Sequence, residues 1–215
     1  MKDSLLIYSG GHDSTVLLYE QKENIALACS FDYGSKHNKR EIEQAAYNCA
    51  ELNIKHIIIN IQEIGKHLKS SLLDRSENVP HGHYEDETMK STVVPFRNGI
   101  MLSVAAGVAE SNNLSKVLIA SHAGDHAIYP DCRVNFTEAF KVAVKLGTYN
   151  NVEILAPYGN FTKRLIAIIG EKLGVDSSHT YSCYEGEELH CGKCGTCVER
   201  KEALEGFDQT SYKDA

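Results

Sequence analysis

Short apolar runs alternate along the chain with longer segments in which apolar residues recur every three or four positions. The short runs are continuous in their apolar character, which is typical of strands buried on both faces. The longer segments have the periodicity of helices. The predicted strands are Leu5–Tyr8, Ile25–Phe31, Lys55–Ile61, Lys116–Ala120 and Val152–Ala156, and the predicted helices are Ser14–Gln21, His37–Asn53, Ile100–Ser111, Val134–Leu146 and Thr162–Leu173.

This strand-then-helix alternation predicts an α/β fold with a doubly wound parallel sheet. Ligands of such sheets bind at the carboxyl ends of the strands, where the strand order reverses. The first, second and fourth predicted strands lead into the polar turns "SGGHDS", "DYGSKH" and "SHAGDH". We expect these three turns to lie near one rim. Residues 74–92 have no periodicity and predict a long loop, for which a lid is one role.

Composition narrows the class of protein without naming it. The 215 residues carry a net charge of -7, which disfavours the basic surface that nonspecific nucleic-acid binding requires. We find no signal peptide at the N-terminus and no apolar stretch of the roughly 20 residues that span a bilayer. We therefore expect a cytoplasmic protein that binds neither membrane nor nucleic acid directly, and that is long enough to bury one sizeable core.

The first turn, Tyr8-Ser9-Gly10-Gly11-His12-Asp13-Ser14-Thr15, combines bare backbone with hydroxyl groups at the start of a predicted helix. Backbone amides and the helix dipole favour an anion there, and the hydroxyls add donors. A carboxylate beside a phosphate implies Mg²⁺, and Asp13 is that carboxylate. The turn lacks the lysine of a Walker loop and the spacing of a dinucleotide motif. The alternative is a plain strand–helix connection in which Asp13 or Ser9 caps the helix.

Four cysteines near the C-terminus have the spacing of a metal site. Cys183, Cys191, Cys194 and Cys197 form C-x7-C-x2-C-x2-C, and in a reducing compartment such clusters bind metal more often than they form disulfides. Four thiolates favour a closed, structural zinc site, with an iron–sulfur cluster as the rival. We interpret Cys29 and Cys49 as core residues and Cys132 as a buried thiol, with a nucleophile as the alternative for Cys132.

The opening turn resembles the S-G-G-x-D-S loop of the N-type ATP pyrophosphatases. The words "FDYGSKH", "VPFRNGIML", "YPDCR" and "TYSCYEG", with the cysteine spacing, resemble the 7-cyano-7-deazaguanine synthase family from Ser9 to about Leu204. The resemblance implies a Rossmann-like, adenine nucleotide alpha hydrolase-like sheet and a C-terminal zinc knuckle. It also implies a homodimer that converts 7-carboxy-7-deazaguanine, ammonia and ATP into the nitrile, a queuosine precursor. It divides the chain into an ATP pyrophosphatase domain, residues 1–180, and a zinc-binding segment packed on it, residues 181–215.

The resemblance also assigns roles by position. Residues 8–15 hold ATP, with Asp13 helping to place Mg²⁺, while Arg97 and Lys163 stabilise charge on the departing phosphates. A surface or capping cation is the alternative for each of these two. Tyr33, His37, Asp131 and Arg133 are candidates for binding the deazaguanine, although an Asp131–Arg133 structural pair is an equal explanation. His122 and His126 are acid–base candidates, although exposed loop histidines are commoner.

Two positions depart from the family pattern. Phe96 stands where the family has glycine, and we expect its ring to narrow the pocket or to stack on a base, and its backbone to avoid a glycine-only angle. Ser35 replaces a longer residue. Alternative functions are a diverged relative with another acceptor, a tRNA sulfurtransferase, and a non-catalytic nucleotide-binding module.

Overall fold

A computed structural model describes residues 2–73, 77–83 and 87–213 of the chain, with the side chain of Glu87 left out. The strands are β1 Ser4–Ile7, β2 Ile25–Asp32, β3 Lys55–Asn60, β4 Lys116–Leu118 and β5 Glu153–Leu155. The α-helices are α1 His12–Glu20, α2 Asn38–Glu51, α3 Gln62–Gly65, α4 Arg97–Ser111, α5 Val134–Gly147, α6 Lys163–Leu173 and α7 Gly195–Ala203. Short 3₁₀ helices cover Glu87–Thr92, Ala123–Ala127, Pro130–Cys132 and Ser177–His179.

The five strands form one parallel sheet in the order β3-β2-β1-β4-β5. The predicted α/β class and doubly wound sheet are therefore confirmed, and each predicted strand and helix lies within three residues of its observed bounds. The strand order reverses between β1 and β4, so the switch point lies where the first turn leaves β1.

The sheet is buried on both faces because its central strands carry apolar side chains on alternate sides. Leu5 and Ile7 pack against one apolar cluster, which includes the buried side of α4. Leu6 and Tyr8 pack against another, which includes buried residues of α1, α2 and α6. Both cores therefore hold β1, and the turn after it, in a fixed position.

Parts of the chain differ from the sequence-based expectation. Of residues 74–92, the segments 74–76 and 84–86 lie outside the described residues, whereas Glu87–Thr92 forms a 3₁₀ helix rather than a loop. The stretch Thr88–Ser111 is long and apolar enough by composition to span a membrane. This differs from our expectation that the chain has no apolar stretch of that length. Half of its most apolar window is buried here, because α4 packs on the sheet. A core helix of this kind passes the same test.

The cysteine-bearing segment packs closely against the sheet domain. Arg200 of α7 is 1% exposed, and its guanidinium donates to the Ser177 carbonyl and to the hydroxyls of Thr180, Ser182 and Thr210. These bonds satisfy the donors of a buried cation without a carboxylate. They also connect residues on both sides of position 180, the predicted boundary between the two parts of the chain. The division itself stays a prediction.

Candidate active site

One cavity opens at the carboxyl edge of the sheet, between the turns that follow β1, β2 and β4. The first turn contributes Ser9 and Asp13, the second Tyr33 and His37, and the third Ser121 and Asp125. Arg97, Lys163 and residues of the cysteine-bearing segment complete its wall. The three polar turns thus meet at one rim, as the strand order requires.

The turn after β1 is shaped by its own hydrogen bonds. The Ser9 hydroxyl accepts the Gly11 amide at 3.1 Å and lies 3.0 Å from the Ser14 hydroxyl, which donates to the Gly11 carbonyl. Gly11 is the N-cap of α1 and no side chain caps it, so neither Asp13 nor Ser9 does so. The amides of the first helical turn are therefore available to an anion.

Six of the eight residues expected to hold ATP line the cavity, and two do not. Ser9, Gly11, His12, Asp13 and Ser14 line the cavity together with Tyr8, whereas Gly10 and Thr15 do not. Thr15 is fully buried and donates to the Gly11 carbonyl while the Tyr8 hydroxyl contacts it at 3.1 Å. Gly10 has φ +88°, and a Cβ there would lie 2.1 Å from the Glu41 carbonyl oxygen. Gly10 and Thr15 therefore shape the turn from behind.

Asp13 lies in a compact cluster of charges. Its Oδ2 is 3.3 Å from Lys163 Nζ and 3.5 Å from His122 Nε2, while its buried Oδ1 accepts no hydrogen bond among the described residues. Burial by itself raises the pKa of Asp13, but the charges of Lys163 and His122 outweigh it and hold that pKa well below its usual range. Asp13 is thus ionised, and its Oδ1 lies 3.8 Å from His12 Nδ1, beyond hydrogen-bond distance.

Lys163 begins α6, where Thr162 caps the helix by accepting the Leu165 amide. Its Nζ also contacts Glu199 Oε2 at 2.9 Å, so two carboxylates hold it. Burial lowers the pKa of Lys163, but Asp13 and Glu199 together raise it above its usual range. A cation at a helix N-terminus is unfavourable on its own, and the two carboxylates offset that cost.

His122 is 1% exposed, so it is not the exposed loop histidine that the sequence favoured. Its Nδ1 accepts the Gly124 amide, which assigns the proton of the neutral ring to Nε2. That Nε2 lies 3.5 Å from Asp13 and 3.6 Å from Asp125. Burial lowers the pKa of His122, but the carboxylates of Asp125 and Asp13 outweigh it and raise that pKa.

The opposite end of the cavity is aromatic. The Tyr33 hydroxyl accepts a bond from Arg97 Nη1 at 3.3 Å and lies 3.2 Å from His37 Nε2. The rings of His37 and Tyr184 are 5.4 Å apart. Burial lowers the pKa of His37 to about 3, so its imidazole is neutral. Arg97 has no carboxylate within ion-pair distance in the part of the chain that the structure describes, which leaves a guanidinium facing the cavity.

Asp131 and Arg133 do not line this cavity. Asp131 Oδ2 accepts the Asn98 amide at 2.7 Å and so holds the first turn of α4, while Arg133 Nε donates to the His126 carbonyl. They form no ion pair with each other in the part of the chain that the structure describes, because each side chain bonds elsewhere. The expectation that they hold the base is therefore not supported by where they lie. Between them, Cys132 is buried, and burial raises the pKa of its thiol.

Phe96 corrects two expectations. Its φ is +55°, so the left-handed backbone that favours glycine is kept by a phenylalanine. Its side chain is 56% exposed, lies over Gly99 and meets the Phe136 ring edge-on at 5.7 Å. The ring does not line the cavity and therefore does not narrow it. Ser35 is buried and also lies outside the lining.

The four predicted cysteines converge. The sulfurs of Cys183, Cys191, Cys194 and Cys197 all lie within 4.8 Å of one another, and the amides of Cys191, Lys193 and Cys194 point at them. A tetrahedral ion bound by four thiolates at ~2.3 Å separates the sulfurs by about 3.8 Å, close to the 3.9 Å between Cys191 and Cys197. The site therefore fits one structural metal ion. An iron–sulfur cluster, with four irons inside, would hold thiolates farther apart.

Three residues of the site were missed at the level of sequence. Glu41 lies one helical turn after His37, Glu199 two residues after Cys197, and Asp125 in a turn with three other polar residues. No motif marks these three residues in the sequence, and acidic residues are usually exposed to solvent. Only the packing of α2 and α7 against the first turn brings the two glutamates inward.

Comparisons with known proteins show the family of this chain. The family model described as queuosine biosynthesis protein QueC matches residues 3–208. The chain is 55% identical to the 7-cyano-7-deazaguanine synthase of Porphyromonas gingivalis, over 99% of this chain and 98% of that protein. It is 54% identical to the synthase of Desulfotalea psychrophila, over 99% of each chain, and 48% identical to that of Rhizobium johnstonii, over 98% of this chain and 92% of the relative.

Among solved structures, the NMN synthetase of Francisella tularensis aligns with a TM-score of 0.50 at 12% identity, over 97% of this chain and 70% of that one. That likeness supports the fold alone. The family match covers nearly the whole chain, and the charged turn, the aromatic pocket and the cysteine cluster all lie within it. This chain belongs to the QueC family of queuosine biosynthesis proteins.

Proposed function

We propose that this protein is an ATP-dependent carbon–nitrogen ligase that converts 7-carboxy-7-deazaguanine and ammonia into 7-cyano-7-deazaguanine. The observation that carries the proposal is one cavity with two unlike ends. At one end an anion-binding turn stands beside the ion pair of Asp13 and Lys163, and at the other Arg97 faces an aromatic wall. The first end suits a triphosphate, and the second suits a planar base that carries a carboxylate.

The chemistry requires two activations. The substrate carboxylate attacks the α-phosphorus of ATP, releasing pyrophosphate and forming an acyl adenylate. Ammonia displaces AMP to give the amide. The amide oxygen then attacks the α-phosphorus of a second ATP and releases a second pyrophosphate, and loss of AMP and two protons leaves the nitrile. The protein has to place the reactants together and keep water from the adenylates.

The described residues suit these steps. Ser9, Gly11 and Ser14, with the free amides of α1, bind the phosphates, and Lys163 neutralises the departing pyrophosphate. Arg97 binds the substrate carboxylate at the aromatic end and orients it for attack on the α-phosphorus. Asp13 is the carboxylate that this chain would offer to Mg²⁺, which would neutralise charge on the triphosphate.

Zinc is the metal that we assign to the four cysteines, because a closed set of thiolates is its usual structural site. Its role is to stabilise the segment that carries Glu199. We also place the protein in the cytoplasm, since all seven cysteines are free thiols and the substrates are soluble metabolites.

We further propose a homodimer, formed through α5. This helix buries only Thr137 and Val144, and its outer face exposes Val142 and Leu146, the latter 83% exposed. Phe96 is also exposed and contacts the ring of Phe136 near the start of this helix. An exposed apolar surface of this extent is typical of an interface, and a second copy of the chain is the occupant we assign.

Mass spectrometry of a reaction containing ATP, Mg²⁺, ammonium and 7-carboxy-7-deazaguanine tests the proposal. We expect the nitrile to form with AMP and pyrophosphate. Asp13→Ala should abolish it, whereas Glu63→Ala, an exposed residue on α3, should not. ATP consumption without any deazaguanine product would overturn the proposed reaction.

A further inference from the structure

Glu41 is a carboxyl group that the proposed reaction does not yet use. It lies in the first turn of α2 and lines the cavity at its aromatic end, together with His37 and Arg97. Its side chain is 15% exposed. Its backbone carbonyl abuts Gly10, so the same residue touches the phosphate-binding turn on one side and the aromatic pocket on the other.

No group among the described residues donates a hydrogen bond to the Glu41 carboxyl. The nearest is His37 Nε2, 3.8 Å from Oε2, and that nitrogen is 3.2 Å from the Tyr33 hydroxyl. Arg97 Nη1 likewise points to Tyr33. Burial raises the pKa of Glu41 to about 8, with Arg97 opposing that rise. A buried carboxyl without donors is costly, which marks a place where a ligand supplies them.

The chemistry of the proposed substrate meets this need. The pyrimidinone edge of a deazaguanine presents a ring N–H and an exocyclic amino N–H side by side. Two parallel N–H donors match the two oxygens of one carboxylate, in the geometry of an arginine fork. Because these donors favour the ionised form, binding of the base displaces the proton that Glu41 holds below its pKa of about 8. Arg97 in the same cavity is the complementary partner for the carboxylate at the other end of the base. Asp131, one of the candidates for binding the deazaguanine, lies outside the cavity.

We propose that Glu41 recognises the 2-amino and ring N–H groups of the deazaguanine and so determines which base is activated. This inference rests on the proposed function. The contact between Gly10 and the Glu41 backbone then gives the base and the phosphates a common support, so that a bound base stands in fixed register with the α-phosphorus.

The test is calorimetric binding of two ligands, 7-carboxy-7-deazaguanine and its analogue without the 2-amino group, to wild type and Glu41→Gln. Wild type should bind the amino compound about 10- to 100-fold more tightly, the range of lost charge-assisted hydrogen bonds. Glu41→Gln should lose most of that preference, raise KM for the base and bind ATP within about twofold of wild type. Glu43→Gln, on the same helix but exposed and paired with Arg40, should behave as wild type.

The outcomes separate the two claims. If wild type makes the nitrile and Glu41→Gln keeps the full preference for the amino compound, the inference is overturned and the proposed function stands. A fall in kcat with unchanged KM would also overturn it, because it would place Glu41 in a chemical step. If wild type binds neither base, the proposed function itself fails. Should Glu41→Gln not fold, equal binding of the two bases by wild type overturns the inference.

Discussion

Single residues in this site owe their charge to their neighbours. Asp13 and Lys163 are both largely buried, and each keeps its charged form because the other lies 3.3 Å away. Glu199 adds a second carboxylate to the lysine. The pair is thus set up before any ligand arrives, and a bound phosphate competes with two carboxylates for Lys163. Electrostatic preorganisation of this kind needs no rearrangement when charge develops.

The raised pKa of Glu41 has a consequence for stability. The carboxyl titrates near 4.5 in the unfolded chain and near 8 in the folded one, so the folded state binds the extra proton between these values. Stability from Glu41 is therefore full below about pH 4.5 and is lost as pH rises through 8. His37, Arg97 and Tyr33 face the carboxyl, and all three are unchanged in a Glu41→Gln variant.

We expect wild type to lose unfolding free energy relative to Glu41→Gln as pH rises from 5 to 8, by at most about 1.4 kcal/mol per unit. Urea unfolding of both proteins across this range measures the difference. Parallel stability curves would show that the carboxyl is not held in its neutral form.

We expect substitution of Phe96 to have little effect on substrate binding. Because its ring lies over Gly99 and Phe136, outside the cavity, Phe96→Gly should leave KM for the base within about twofold of wild type. The left-handed backbone suits glycine, which offsets part of the packing lost with the ring. Steady-state kinetics decides, and a large change in KM would mean that the ring contacts the substrate after all.

At the scale of elements, α7 joins the metal site to the phosphate site. The helix begins directly after Cys194, carries Cys197, and one half-turn later places Glu199 on Lys163. The amide of Tyr181, just before the first cysteine, donates to the Gly10 carbonyl. The cysteine-bearing segment therefore forms part of the wall of the cavity and is not a separate stabilising unit.

We predict that Glu199→Gln lowers kcat about tenfold while leaving the zinc content at one ion per chain, because it weakens the placement of Lys163 without touching a thiolate. Glu202→Gln is the matched control, since Glu202 is exposed on the same helix. Activity is measured beside metal analysis of each purified protein. An unchanged kcat in Glu199→Gln would remove α7 from the catalytic machinery.

The elements themselves follow from the sequence, and part of the site does not. Runs such as Ile25–Phe31 predict buried strands because local apolar character and sheet burial agree. The cysteine spacing likewise predicts the metal cluster. Glu41 and Glu199 were missed because their burial depends on packing between distant helices, and Phe96 was misjudged because a non-glycine residue occupies a left-handed backbone here.

The whole molecule weighs against the alternative functions. A sulfurtransferase needs an accessible thiolate to carry sulfur, whereas Cys29, Cys49 and Cys132 are buried, with burial raising the pKa of Cys29 and of Cys49 to about 12. The remaining four cysteines form the metal cluster. A net charge of -7 also offers no general attraction for tRNA.

The proposed dimer is a prediction at the same scale. Leu146→Glu places a charge in the middle of the exposed face of α5, and we expect it to yield a monomer in sedimentation velocity. Leu173→Glu, at the exposed end of α6, is the control and should remain dimeric. A wild-type protein that sediments as a monomer at micromolar concentration would refute the interface.

The central claim is that both oxygens of the substrate carboxylate leave on AMP. The measurement is turnover of 7-carboxy-7-deazaguanine labelled with ¹⁸O in both carboxyl oxygens, with mass spectrometry of every phosphorus-containing product. We predict two AMP molecules for each nitrile, each carrying one ¹⁸O, and unlabelled pyrophosphate. Label in inorganic phosphate with ADP as the co-product would contradict the account, since it would mean that the carboxylate attacks the γ-phosphorus instead.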